Sequence, residues 1–177
     1  MPDWLLTVRD ICIFRRGPQD LPHAPQLMLG VLVLGTVFDV AVGALMLDRA
    51  GALTESLVSS GFSAAVMYAL LRLRQRGSRF VQAFLAQLSC GLALSMLLLP
   101  LLWIMGPPPA SPDALTPMHG LIALAILSVM LWLLAVNSHI FRHALDVPPM
   151  VAFFVATLWM ISQRALSTVL FGDGAGG

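Results

Sequence analysis

The sequence predicts an all-α polytopic membrane protein, a bundle of five transmembrane helices preceded by an N-terminal interfacial amphipathic helix. The composition is the first reason: 58% of the 177 residues are hydrophobic and 11% are charged, with a mean hydropathy of +0.87, which excludes an ordinary soluble domain. The second is five apolar stretches, each near the ~20 residues that cross ~30 Å of hydrocarbon. The third is that the connections between them alternate between arginine-rich and arginine-poor.

Residues 1–25 form the predicted N-terminal region. Its residues 2–16 place Trp4, Val8 and Ile11 near one face of a helix, and charged residues interrupt any continuous apolar run, so a secretory signal is not expected. A short helix with a tryptophan and arginines is typical of the headgroup layer, and docking on a soluble partner is the alternative. Gly17-Pro18 ends this helix, and further prolines keep the connection to the first span extended.

Residues 26–171 form the predicted transmembrane domain. Its spans are residues 26–47, 53–73, 80–105, 118–137 and 150–171. The proline-rich segment 106–117 cannot be helical throughout and is predicted to be a stiff, solvated loop. The glycine-rich residues 172–177 are predicted to be a disordered tail.

The arginines predict the orientation. Eight of them fall in three regions that share one side of the predicted topology, and one falls on the other side. The eight are Arg9, Arg15, Arg16, Arg72, Arg74, Arg76, Arg79 and Arg142, against Arg49. Because cytoplasmic loops are enriched in arginine, we expect a cytoplasmic N-terminus and a periplasmic C-terminus in a bacterial inner membrane.

Two charged residues lie inside predicted spans. Asp39 in the first span and Arg164 in the fifth fall at similar depth, since both spans run in the same direction and each residue lies about 20 Å from the inner face at 1.5 Å per residue. Three interpretations stay open: a structural ion pair, Arg164 reaching the outer headgroups while Asp39 is protonated or hydrated, and a functional proton or substrate site.

Small and polar residues suggest helix–helix seams. Gly35 and Gly43 flank Asp39 at four-residue spacing, which predicts that another helix comes close there. Gln87 and Gly91 repeat the spacing in the third span, where a pore lining is the alternative to a seam. In contrast, Cys12 at the predicted surface and Cys90 near the membrane centre are not expected to pair.

Two further groups are weaker candidates. His139 and His143 share a helix face at i, i+4 spacing, and His23 lies on the same side, so a metal or haem site is an alternative to a merely solvated helix end. The joint with Arg72, Arg74, Arg76 and Arg79 predicts a lipid-phosphate anchor, with docking of an acidic partner as the alternative. No cofactor is expected.

Three stretches carry a family resemblance. Residues 17–22 (GPQDLP), 79–82 (RFVQ) and 138–148 (SHIFRHALDVP) resemble small proteobacterial inner-membrane proteins without an assigned function. The five-span layout is similar to the Yip-type membrane domain, a likeness that implies a trafficking or membrane-organising role.

The sequence has no recognisable catalytic motif, and its carboxylates are scattered singly. We therefore expect a non-enzymatic accessory, scaffolding or membrane-organising protein. A small transporter or channel component using Asp39 and Arg164 is the first alternative, and a metal- or haem-associated protein using His139 and His143 is the second. The expected partners are the lipid bilayer and either other membrane proteins or a second copy of this chain, with no nucleic acid.

Overall fold

The computed structural model describes residues 3–46, 51–106 and 116–172. These residues form six α-helices: α1 (Asp3–Cys12), α2 (Pro25–Met46), α3 (Ala52–Leu73), α4 (Phe80–Met105), α5 (Pro117–Leu145) and α6 (Pro149–Phe171). Five of them are long and apolar enough to cross a membrane, so the predicted all-α membrane fold is confirmed. Arg49, most of the proline-rich loop and residues 173–177 of the predicted tail lie outside the described residues.

The helix ends follow from proline and left-handed residues. Proline occupies the first turn of α2, α5 and α6, where its missing N–H costs no hydrogen bond and its fixed φ suits a helix. Gly106 (φ 65°) follows α4, and Asp146 (φ 53°) follows α5, each turning the chain out of the helix. No proline or left-handed residue precedes Asp146 in this region. Helix α5 therefore continues eight residues beyond the predicted end of the fourth span.

The five long helices pack as a closed ring. Going around it, α2 contacts α3, α3 contacts α6, α6 contacts α5, α5 contacts α4, and α4 contacts α2. Helix α3 also contacts α4 across the ring. Each helix therefore buries a stripe against two neighbours and leaves its outer face apolar, as a bundle surrounded by lipid requires.

Helix α1 packs on α4 and α5. Thr7, Val8 and Ile11 are buried, and Val8 and Ile11 share a hydrophobic core with short α4 side chains such as Ala83 and Ala86. The predicted amphipathic helix therefore exists, but its apolar face covers protein. The small α4 residues explain why, since they leave room for a helix to lie against them.

This docking brings the two cysteines closer together than their predicted positions suggested. The Cys12 and Cys90 thiols are in hydrogen-bond contact, Cys90 Sγ lies 3.9 Å from the Val8 carbonyl oxygen, and Trp132 Nε1 donates to the Cys12 carbonyl at 2.9 Å. Both cysteines are free, but the separation expected between the surface and the membrane centre is wrong, because α1 packs into the bundle and carries Cys12 to α4.

The connections that carry arginines meet at one end of the bundle, which we call the arginine-rich end. Arg76 forms an ion pair with Asp146 at 2.7 Å, and Arg79 Nη1 donates to the His143 carbonyl at 3.2 Å. These bonds join the α3–α4 connection to the C-terminal end of α5 and to Asp146 just after it. The opposite, arginine-poor end holds the start of α3 and the ends of α2, α4 and α6.

Candidate functional site: a polar groove between the helices

A polar groove lies between α2, α3, α4 and α6. It consists of two adjoining cavities of about 280 and 190 Å³, which share Asp39, Ser59 and Ser95. Its polar lining residues are Thr36, Asp39, Glu55, Ser56, Ser59, Ser60, Ser63, Gln87, Ser95, Trp159 and Gln163. Polar side chains inside a membrane bundle are costly and mark functional positions, so this groove is the candidate site.

Helix α3 supplies most of the hydroxyl groups. Ser56, Ser59, Ser60 and Ser63 follow the i, i+3, i+4, i+7 pattern that places side chains on one helix face. The structure turns this face toward the groove. The serine face was not recognised in the sequence, although its spacing is the signal that identifies it.

Two carboxylates line the cavity nearer the arginine-poor end. Asp39 is exposed to the groove, and Ser56 Oγ donates to its Oδ2 at 3.1 Å. Glu55 lines the same cavity and accepts a hydrogen bond from the Ser167 hydroxyl of α6. The lining residues that the structure describes include no arginine or histidine, and Asp39 is the carboxylate that both cavities share.

The second cavity holds polar atoms with no partner among the described residues. Both amide atoms of Gln87, Trp159 Nε1 and Gln163 Oε1 are buried without a hydrogen bond, and Gln87 as a whole is 7% exposed. In contrast, the Gln163 amide nitrogen donates to the Ser63 hydroxyl at 2.6 Å and to the Ser59 carbonyl at 3.2 Å. A buried amide without a partner is costly, so these groups are suited to meeting a polar molecule.

Apolar packing closes the groove toward the arginine-rich end. Phe84 forms part of the second cavity's wall and is 2% exposed. Met67 and Leu71, one and two turns beyond Ser63 on α3, are fully buried. At the other end, the first cavity reaches Ala52 and Leu102, near the ends of their helices. The groove therefore runs from the arginine-poor end past the middle of the bundle and ends at Phe84, one turn into α4.

The structure does not bring Asp39 and Arg164 together. Among the described residues Asp39 bonds to Ser56, while Arg164 is exposed on α6 and takes part in none of the described ion pairs. Similar depth in the membrane is not sufficient for contact, because α2 and α6 are not neighbours in the ring and α3 lies between them.

The residues predicted to form helix seams divide into two groups. A Cβ added to Gly43 would lie 2.7 Å from Ala52 Cβ, so α2 and α3 approach closely there. A Cβ added to Gly35 or Gly91 would meet no atom within 4 Å. Gly35, Gly91 and Gln87 line the groove, so the small residues keep open a space that larger side chains would fill.

The remaining candidates lie at the arginine-rich end. The His139 and His143 rings are 4.5 Å apart, and His139 Nε2 lies 2.8 Å from the Arg16 carbonyl oxygen. The described residues contain no group of three or more side chains that could hold a metal ion. In the predicted basic patch, Arg76 pairs with Asp146 and Arg79 bonds to the last turn of α5. Arg74 Nη2 lies 3.5 Å from the Asp146 carbonyl oxygen, and Arg72 lies over the Tyr68 ring.

Comparison of the chain with family models, with curated proteins and with solved structures found no match.

Proposed function

We propose that the protein is a small transporter or channel component that admits a polar solute to the groove from the arginine-poor end. The observation that carries this proposal is Gln87, a buried amide with neither polar atom bonded to protein, in the wall of a cavity that reaches Asp39. A solute or water entering the groove would supply the missing hydrogen bonds.

A purely structural role does not explain these side chains. A bundle that only scaffolds other proteins gains stability by filling its interior with apolar residues, and a leucine at position 87 would avoid the unpaired amide. Polar groups without partners that line a cavity instead follow the pattern of binding sites, which combine apolar walls with a few polar groups.

The arginine distribution gives the proposal a direction. If arginine marks the cytoplasmic side, the groove opens toward the periplasm of a bacterial inner membrane. Phe84 and Met67, both buried, then form the seal on the cytoplasmic side. Passage of a solute would require this seal to open, as alternating access requires of transporters built around a central site.

The accessory or membrane-organising role, including a Yip-like one, stays a prediction. It places function on a protein interface and needs no aqueous access to Asp39. The transporter proposal needs that access, so measuring access distinguishes the two.

The test uses single cysteines in a background that lacks both native ones (Cys12→Ser, Cys90→Ala). Ser59→Cys and Ser95→Cys report from the groove, while Leu57→Cys, 55% exposed on α3, reports from outside it. In oriented vesicles, a membrane-impermeant thiol reagent added at the arginine-poor side should modify the groove cysteines and leave Leu57→Cys largely unmodified. Groove cysteines as unreactive as Leu57→Cys would contradict the proposal.

A second variant fills the groove. Gly91→Leu adds a side chain where a Cβ meets no atom within 4 Å, so the fold should tolerate it while access to Ser95→Cys falls. Gly61→Leu is the matched control, since a Cβ added to Gly61 also meets no neighbour within 4 Å, but Gly61 is exposed and lies outside the groove lining. This control should leave the labelling rate unchanged.

A further inference from the structure

We propose that the solute is a small organic ammonium ion, with its charge beside Asp39 and its apolar body against the leucines of the groove. This inference rests on the proposed function, because the ion must reach Asp39 from water. It adds the chemical class of the ligand.

The sign of the charge follows from the lining. Asp39 lines both cavities, and arginine and histidine are absent from their lining among the described residues. In the low dielectric of a membrane bundle, interactions between charges are much stronger than in water. An anion would be repelled by the Asp39 carboxylate, whereas a cation would be attracted.

The walls argue against calcium or magnesium. Calcium takes six to eight oxygen ligands, and magnesium requires six in near-octahedral geometry. The shared region of the groove supplies one carboxylate, Asp39, and two serine side chains, Ser59 and Ser95. The remaining polar lining residues lie in one cavity or the other, and six leucines complete the walls: Leu32, Leu88, Leu92, Leu98, Leu99 and Leu102. An ammonium ion that carries methyl or methylene groups matches both the charge and these walls.

The size and the second cavity complete the match. Cavities of about 280 and 190 Å³ lie near or below the lower end of the range for small-molecule sites. The unpartnered oxygens of Gln87 and Gln163 accept hydrogen bonds, and the Trp159 indole N–H donates one. An ammonium ion with a hydroxyl or amide group could bond to them while its charge stays at Asp39.

The first test compares two thiol reagents of opposite charge on Ser95→Cys in the background without native cysteines. A trimethylammonium methanethiosulfonate should react roughly tenfold faster than a sulfonate methanethiosulfonate, after each rate is divided by its rate with a free thiol. In Asp39→Asn this preference should fall toward parity. An uncharged methanethiosulfonate serves as the internal reference, so that a general change in the groove cancels.

The second test measures protection by a probe. Choline should slow the modification of Ser95→Cys by the uncharged reagent, and 3,3-dimethylbutanol, its neutral isostere, should not. The protection should be lost in Asp39→Asn and retained in part in Asp39→Glu, which keeps the charge.

The outcomes separate the two proposals. If both charged reagents react at equal normalised rates and choline gives no protection, the groove is open and the ammonium inference is overturned. If neither charged reagent reacts with Ser95→Cys or Ser59→Cys, aqueous access is absent, and the proposed function falls together with the inference. Protection by the neutral isostere equal to that by choline would likewise overturn the role of charge.

Discussion

The two ends of the bundle are built differently. At the arginine-rich end, Ile11, Leu71 and Phe141 are at most 1% exposed, and hydrogen bonds tie the connections together. In the groove that leads from the arginine-poor end, Asp39 is exposed and Gln87 lacks partners among the described residues. The comparison teaches that stability and binding use different parts of the bundle, since the packed end holds the helices together while the groove keeps a polar space between them.

Helix α1 contributes to this difference. It adds Val8 and Ile11 to the core shared by α4 and α5, near the arginine-rich end. Among residues 3–46, 51–106 and 116–172 no corresponding element fills the groove, and its small residues Gly35 and Gly91 leave space unfilled. The same five helices form the ring along its whole length, so the packed end and the groove differ in the side chains that fill the interior.

The largest expected effect comes from breaking the packed end. Phe141 is 1% exposed, while Phe154 is 64% exposed on the outer face. Phe141→Ala should lower the free energy of unfolding by about 3 kcal/mol or more, because it leaves a cavity, whereas Phe154→Ala should change it by roughly 0.5 kcal/mol. Denaturant titration in one detergent measures both. Equal losses would show that this end is not the packed one.

A disulfide bond between Cys12 and Cys90 tests the docked position of α1. The Cys12 and Cys90 thiols are in contact, and the hydrogen bond to Cys90 lowers the pKa of the Cys12 thiol, which favours the reactive thiolate. An added small-molecule disulfide takes two electrons from the two thiols and is itself reduced. Cys12 and Cys90 should then be joined by a disulfide bond. The bond should then stabilise the fold by about 2–4 kcal/mol.

Cross-linking is measured by peptide mass after proteolysis without a reductant. Cys12→Ser and Cys90→Ala each serve as controls that cannot form the bond. Failure of the parent protein to cross-link within its own chain under these conditions would contradict the docked position of α1.

Periodic patterns explain what the sequence could predict. The lengths of the apolar stretches depend only on the thickness of the membrane, so five spans could be predicted from local composition. The partner of Arg76 and the exposed position of Arg164 were harder to predict, because contacts depend on which helices are neighbours. An Asp39–Arg164 ion pair, one of three interpretations of the sequence, requires α2 and α6 to be neighbours, yet α3 lies between them in the ring.

The groove depends on a property that one helix cannot reveal. Gly35 and Gly91 have the spacing of a close helix seam, and only the three-dimensional packing shows that they border a space. The serine face of α3 was present in the sequence at helical spacing, but its meaning required knowing that α2, α4 and α6 surround it. Likewise, the docking of α1 depends on short α4 side chains distant in sequence.

Replacing Gln87 tests the polar groove. Gln87→Leu removes a buried amide that lacks partners, so the free energy of unfolding should rise by about 1 kcal/mol, while protection by choline weakens. Asn137→Leu is the control, because Asn137 is buried but its Nδ2 donates to the Leu133 carbonyl at 2.9 Å. Asn137→Leu should not raise the free energy of unfolding. Destabilisation by Gln87→Leu would mean that the amide has a structural partner.

The smallest expected effect concerns Asp10, which links α1 to the segment after it. Asp10 contacts Arg9 at 2.8 Å and Arg16 at 3.5 Å. The hydrogen bond from Arg9, with the charges of the neighbouring arginines, lowers the pKa of the Asp10 carboxyl. A folded pKa below the unfolded one gives stability that is complete above about pH 4 and is lost as the pH falls through the folded value.

Asp10→Asn should therefore lower the melting temperature slightly at pH 7 and make no difference once the pH lies below the folded pKa of Asp10. Arg9→Gln should produce the same pattern, since it removes the partner that lowers this pKa most. Melting curves of the three proteins between pH 3 and pH 7 measure it. An equal loss for Asp10→Asn at every pH would show that the side chain acts through packing, and charge would then play no part in holding α1 to the segment after it.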